Sequence, residues 1–169
     1  MTSGGNRPML RIGVISDTHG LLRPEAISFL RGCSRIVHAG DIGLAAILDD
    51  LATLAPTTAV RGNNDVGDWA GKLPEAVTIA VDGFRIHLVH DLSLLALDPL
   101  TEGLDVVVSG HSHKPETRRH RGVLYMNPGS AGPRRFKLPV SIGELIVKNG
   151  VLDGRIHELR IAPPRKRAR

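Results

Sequence analysis

Cysteine is almost absent from this chain: Cys33 is the only one among 169 residues. An intrachain disulfide is therefore excluded, and so is a zinc site built on several thiolates. Aromatic residues make up only 3 %, so valine, isoleucine, leucine and alanine must fill the core. No apolar run reaches the roughly 18 residues of a membrane-spanning helix, and none follows a basic start near the N-terminus as a secretory signal would. These absences point to the cytoplasm and to no membrane partner. Positive charge looks plentiful, at a formal +5 and a pI near 10.0, yet four of the charges are Arg165, Lys166, Arg167 and Arg169 in the tail PPRKRAR. The body is left nearly neutral, at about +1. Nucleic acid as a partner is thus open but unsupported.

What is present is concentrated at the ends of apolar runs. In VVVSGHSHKPE, residues 106–116, three valines suit a strand buried on both faces, and the run ends in glycine followed by His111 and His113. In a sheet covered by helices, ligands bind just beyond the carboxyl ends of the strands. Other runs end in the same way. LRIGVISDTHG leads to Asp17 and His19, SRIVHAGD to Asp41, TTAVRGNND to Asn63, Asn64 and Asp65, and FRIHLVHD to His90. One such ending would be noise; five make a site.

The remaining pattern supplies a frame of one domain, read as 9–161, between a flexible leader at 1–8 and a disordered basic tail at 162–169. RPEAISFLRG, with proline at its start and glycine at its end, predicts a helix. GLAAILDDLATLAP predicts a second, and DLSLLALDPLTEGL a third, limited by Pro99. Asp82-Gly83 and Asn149-Gly150 are hairpin dipeptides between strands. Helices alternate with strands early and hairpins follow later. Two facing sheets with helices outside are expected, within the α/β class.

Asp17, His19, Asp41, Asn63, His90, His111 and His113 offer carboxylate, imidazole and amide oxygen ligands without thiolate, which suits divalent ions of intermediate hardness. Seven donors exceed one tetrahedral ion. They suit two ions sharing a carboxylate, placed about 3.5–4 Å apart as in phosphoryl-transfer sites.

The order SDTHG, AGD, RGNND, VH, GHSH, with MNPGSAGPRR at 126–135, resembles the calcineurin-like metallophosphoesterases, in their small bacterial phosphodiesterase branch. The resemblance spans about Arg11 to His157. It implies a four-layer α/β/β/α sandwich, with Asp17, His19 and His113 on one metal, Asn63, His90 and His111 on the other, and Asp41 bridging. It further implies a phosphodiesterase that hydrolyses P–O bonds with a hydroxide shared by two divalent transition-metal ions. Manganese comes first, with iron, cobalt, nickel or zinc as alternatives. The expected partner is a small phosphoester substrate. A binding scaffold of the same fold, a phosphomonoesterase and a nuclease are the alternatives.

Two departures from the family pattern stand out. Asp91 replaces a glycine after His90 and is expected either to orient that ring or to distort the loop. Asn64 stands where many relatives carry a histidine that assists the leaving group; an amide donates a hydrogen bond but cannot act as an acid. His38, His87 and His157 read as structural. Arg118, Arg119, Arg121, Arg134 and Arg135 can be read either as rim residues that attract phosphate or as a solvated strand face, with Arg134 and Arg135 the candidate substrate contacts. Substrate identity, native metal and a possible homo-oligomeric state are not legible in the sequence.

Overall fold

The structure, a computed structural model, describes residues 8–162. The expected leader and basic tail therefore lie outside the described residues, but for Pro8 and Ala162. The first half alternates strand and helix: β1 (Leu10–Ile15), α1 (Pro24–Leu30), β2 (Arg35–His38), α2 (Ala45–Leu54), β3 (Thr57–Ala59) and a one-turn α3 (Asp68–Gly71). The second half is nearly all strand: β4 (Ala76–Val81), β5 (Phe84–Val89), β6 (Val106–Val108), β7 (Glu116–His120), β8 (Val123–Asn127), β9 (Ser141–Lys148) and β10 (Val151–Glu158).

These strands form two mixed sheets of five, ordered β10-β9-β1-β2-β3 and β4-β5-β6-β8-β7. Strands β1, β2 and β3 run parallel in the first sheet, and β5, β6 and β8 in the second. Between the sheets lies an aliphatic core that includes Ile12, Val14, Val37, Ile86, Leu88, Val106, Val108 and Leu145. Burying side chains of this size contributes about 1.5–3 kcal/mol each. On the outer face of the first sheet, Ala26 and Leu30 of α1 and Ile47 and Leu51 of α2 are buried at four-residue spacing. They pack with Ile36, Ile42, Ile142 and Cys33 in a second cluster. The same face carries Arg11, which pairs with Glu144, which in turn bonds His157 at 2.9 Å; His157 is thus a structural residue.

The hairpins at Asp82-Gly83 and Asn149-Gly150 form as read, both dipeptides having positive φ at each residue, which suits a two-residue turn. A third hairpin, between β7 and β8, turns on Arg121-Gly122 with φ of 50° and 85°. Arginine is a poor advertisement for such a turn, so the turn was not legible, whereas the solvated strand face read at Arg118 and Arg119 is β7.

The helix expected after β5 does not form. Asp91 caps only a 3-10 turn at Leu92–Leu94, taking the backbone N–H of Ser93, and Leu95 is already extended. Asp98 then accepts the N–H of Leu100 and the hydroxyl of Thr101, starting a separate turn around Pro99. Local side-chain bonds outcompete a continuous helix. This segment nevertheless covers the outer face of the second sheet, where Leu92, Leu95 and Leu97 pack on Val89, Leu104, Val107 and Val123. Among the described residues no helix is long and apolar enough to cross a membrane.

Leu88 is fully buried between the sheets, whereas Leu94 is 72 % exposed. Urea denaturation of Leu88→Ala should show a loss of about 2–5 kcal/mol. Leu94→Ala should stay within about 0.5 kcal/mol of the parent.

Candidate metal centre

The chain leaves β1 through Ser16, Asp17 and Thr18, and this loop is laid against the one after β2 by backbone bonds from Asp17 N to Gly40 O and from His19 N to Asp41 O, at 3.0 and 2.9 Å. His38 closes the pair of loops: its Nδ1 accepts the N–H of Gly40, and its Nε2 lies 3.0 Å from the Thr18 hydroxyl, which itself donates to Ile42 O. Nε2 therefore carries the proton and donates, and both ring nitrogens are committed. Complete burial lowers its pKa from 6.5 to about 4. His38 is a structural tie, as is His87, whose Nδ1 meets the Thr78 hydroxyl at 2.8 Å on the far side of the second sheet.

From the other sheet come His90 after β5 and His111 and His113 after β6, joined by a bond from Gly110 N to His90 O. Two glycines let loops meet, Gly110 between the sheets and Gly62 within the first. A Cβ on Gly110 would stand 2.0 Å from Ser16 Oγ and 2.7 Å from Asp17 Oδ2, and one on Gly62 would stand 2.1 Å from the Asp41 carboxylate. Of nine non-glycine residues with left-handed φ, five are Asp17, His19, Asp41, His111 and His113. Backbone held in this sparsely occupied region is characteristic of functional sites, where the surroundings enforce it. Three more open the hairpin turns, and the ninth is Phe136.

All seven candidate ligands converge, in two lobes. In the first, His113 Nε2 lies 3.2 Å from Asp17 Oδ1, and His19 Nε2 lies 3.2 Å from His113 Nε2 and 3.8 Å from Asp17 Oδ1. In the second, Asn63 Oδ1 lies 2.9 Å from His90 Nε2 and 3.0 Å from His111 Nδ1. Asp41 Oδ2 stands between them, 3.8 Å from His19 Nε2 and 3.4 Å from His90 Nε2. Atoms about 2.0–2.2 Å from one ion lie roughly 3.0–3.4 Å apart around it, so these spacings fit shared coordination. The first lobe is largely buried, whereas Asn63 and His111 are exposed.

The unsatisfied atoms fit cations. Asp17 Oδ2 takes the Ser16 hydroxyl and His111 N, but Asp17 Oδ1 is buried without a donor, as is His113 Nδ1. His90 Nδ1 donates to Ala39 O at 2.7 Å, which leaves the lone pair of a neutral ring, on Nε2, facing the oxygens of Asn63 and Asp41. Lone pairs converging on oxygens want either a proton or a metal ion. Without metal, burial opposes a proton on His90, but Asp41 and the Ala39 carbonyl raise its pKa. Burial likewise opposes the charge on Asp41, yet His90 and Asn64 hold it well below the usual carboxylate range.

Asn64 lies beside the cluster, but its donors are spent on Asp41: the backbone N–H on Oδ1 and Nδ2 on Oδ2, both at 2.8 Å. Asp65 is a tie between loops, accepting the N–H groups of Gly43 and Gly62. Asp91 does not orient His90. It turns the other way, its Oδ2 3.7 Å from His111 Nε2, on the opposite side of the ring from the nitrogen that faces Asn63. The arginines divide. Arg118 stacks on Tyr125 and shares a cavity with His111, while Arg119 bonds Leu152 O, and all three of Arg118, Arg119 and Arg121 belong to an exposed edge hairpin. Arg134 and Arg135 are exposed in the loop after Gly132, and the charge of Arg135 reaches His19, where it opposes protonation. Cys33 is buried and its thiol pKa is raised by that burial, so it offers no nucleophile.

Three supporting residues went unread although their letters were visible. Ser16 donates to Asp17 Oδ2, Ser130 donates to Asp17 O, and Asn127 Nδ2 donates to Gly110 O and Ser112 Oγ. All sit within quoted motifs, but only the folded loops show what they hold.

Gly110→Ala should push Asp17 out of place and weaken Mn2+ binding at least tenfold by calorimetry, with the far-ultraviolet dichroism unchanged. The metal-free protein should also lose stability as pH falls. Unfolded histidine titrates near 6.5 and folded His38 near 4, so between these values the unfolded chain holds the extra proton. Its contribution is about 1.4 kcal/mol per pH unit. Denaturation of the parent and of His38→Gln from pH 4 to 7 should differ by that slope.

A family profile of the calcineurin-like phosphoesterase superfamily domain matches residues 10–150. A probable metallophosphoesterase from Methanothermobacter thermautotrophicus is 36 % identical over 157 residues, covering 86 % of this chain and 90 % of the relative. Among solved structures, vacuolar protein sorting 29 from Cryptosporidium parvum superposes with a TM-score of 0.73 at 18 % identity, covering 89 % of this chain and 98 % of that one. A structure described as a novel archaeal phosphodiesterase gives 0.72 at 23 % identity, covering 88 % and 100 %. The structural likenesses establish the fold, and the profile and the sequence relative establish more: this chain belongs to the calcineurin-like phosphoesterase superfamily.

Proposed function

We propose that the chain is a phosphodiesterase working with two divalent ions, manganese the first choice. The observation that carries this reading is the division of seven donors into two lobes that meet at Asp41 Oδ2. Asp17, His19 and His113 would hold one ion, Asn63, His90 and His111 the other, and Asp41 both. Bound ions of this kind lower the pKa of a water and neutralise charge on a phosphoryl group.

The protein's own contribution is placement. Asn64 grips both oxygens of Asp41 and fixes the shared ligand, while Ser16 and His111 N hold one oxygen of Asp17 so that the other is free. Arg135, whose charge is felt at His19, draws an anionic substrate to the site. Among the described residues, neither Asn64 nor His38 can donate a proton to a departing alkoxide, since Asn64 is an amide and both nitrogens of His38 are in use. The phosphodiesterase name of one structural neighbour supports diesters over monoesters.

Metal analysis after Mn2+ loading should find about two equivalents per chain, and Asp41→Ala should lose metal and hydrolysis together. Metal-free protein without hydrolysis would favour a binding role, as the vacuolar sorting neighbour suggests. The lack of an acid should show in the leaving group. A positioned acid is typically worth 10²–10⁴-fold, so kcat/KM for aryl diesters should exceed that for alkyl diesters by at least about 10². A shallow dependence on leaving-group pKa would reveal a proton donor and contradict the role given to Asn64.

A further inference from the structure

Beside the exposed lobe of the cluster opens a cavity of about 550 Å³, to which Asn63, His90 and His111 contribute directly. Sites for organic ligands span about 300–1,000 Å³, far above the space a water or a phosphate group needs. Away from the cluster its lining turns apolar, with Ala76, Val89, Leu94 and Ala96. Leu94 is 72 % exposed there, an apolar side chain left to water next to a polar cluster.

The charged groups that line this cavity are already engaged. Asp65 accepts two backbone N–H groups, Glu75 pairs with Arg61, and Asp91 accepts the N–H and hydroxyl of Ser93. An ion entering would find no unpartnered opposite charge, whereas an uncharged apolar or aromatic group would find a wall. The only place for its phosphate is the adjoining cluster.

Resting on the phosphodiesterase reading, we infer that this cavity receives an uncharged, largely apolar organic ester group of the substrate, up to roughly the size of an aromatic bicycle, while the phosphoryl group sits at the Asp41 cluster. The cavity then discriminates between substrates through the group they carry, and a bare phosphate ion leaves it unfilled. The segment that failed to form a helix after β5 has a use in this arrangement: its 3-10 turn and the extended residues after it set Leu94 and Ala96 along the cavity rather than against the second sheet.

The test is calorimetric titration of the Mn2+-loaded protein with inorganic phosphate and with 1-naphthyl phosphate, repeated on Ala96→Trp and Ala76→Trp, both at exposed positions. The parent should bind naphthyl phosphate at least tenfold more tightly than phosphate. The tryptophan variants, by filling the space, should erase that advantage and leave the phosphate Kd within about twofold. Equal affinities in the parent, or an advantage that survives both substitutions, would overturn the cavity as the ester-group site while leaving the phosphoesterase reading intact. If the metal-loaded parent bound neither ligand, the phosphoesterase reading would fall and the inference with it.

Discussion

The structure depends on how one carboxylate is held. Asp41 leaves β2 in a left-handed conformation, nearly buried, with Asn64 on both of its oxygens and His90 from the other sheet against Oδ2. A charge taken from water in this way is costly unless it is bonded and paired. The Asn64 bonds tie the loop after β3 to the loop after β2, and the His90 contact ties that loop to the other sheet. Gly62 has no side chain because any Cβ would occupy the place of that carboxylate. The two-sheet sandwich is in this sense the scaffold that lets two sets of strand ends face each other at a single oxygen.

A second consequence is a separation between supporting and presented atoms. Ser16, Ser130, Asn127, His38 and Asp65 spend their polar atoms on backbone groups and on the side chains of Asp17, Thr18 and Ser112. Asp17 Oδ1 and His113 Nδ1 are buried with no protein donor or acceptor. Proteins rarely leave buried polar atoms unmatched, and such exceptions ask for a cause. A cation at the cluster supplies one for Asp17 Oδ1. The first lobe is largely buried and the second is open to solvent.

Much of this was legible in the sequence, and the reason is geometric. A strand hides its residues until it ends, so a polar letter after Ile15, His38, Val89 or Val108 falls at the edge of the sheet whatever the loop does next. Parallel β1, β2 and β3, together with β5 and β6, then gather those ends without further instruction. Spacing does not encode side-chain direction within a loop. Asp91, which the sequence allows either to orient His90 or to distort the loop, lies by His111, because it turns to cap Ser93. Arg118 and Arg119 were indistinguishable as letters, yet one stacks on Tyr125 beside the site and the other bonds β10. The apolar letters from Leu92 to Leu97 promised a helix, but Asp91 and Asp98 bind the backbone locally and break it into turns.

Electron paramagnetic resonance of the Mn2+-saturated protein tests the shared carboxylate most directly. Two ions bridged at Asp41 should be spin-coupled, with a multiline spectrum whose hyperfine spacing is about half that of an isolated ion, and Asp41→Ala should abolish the coupling. An isolated six-line spectrum from the parent at saturation, unchanged by Asp41→Ala, would contradict the dinuclear site.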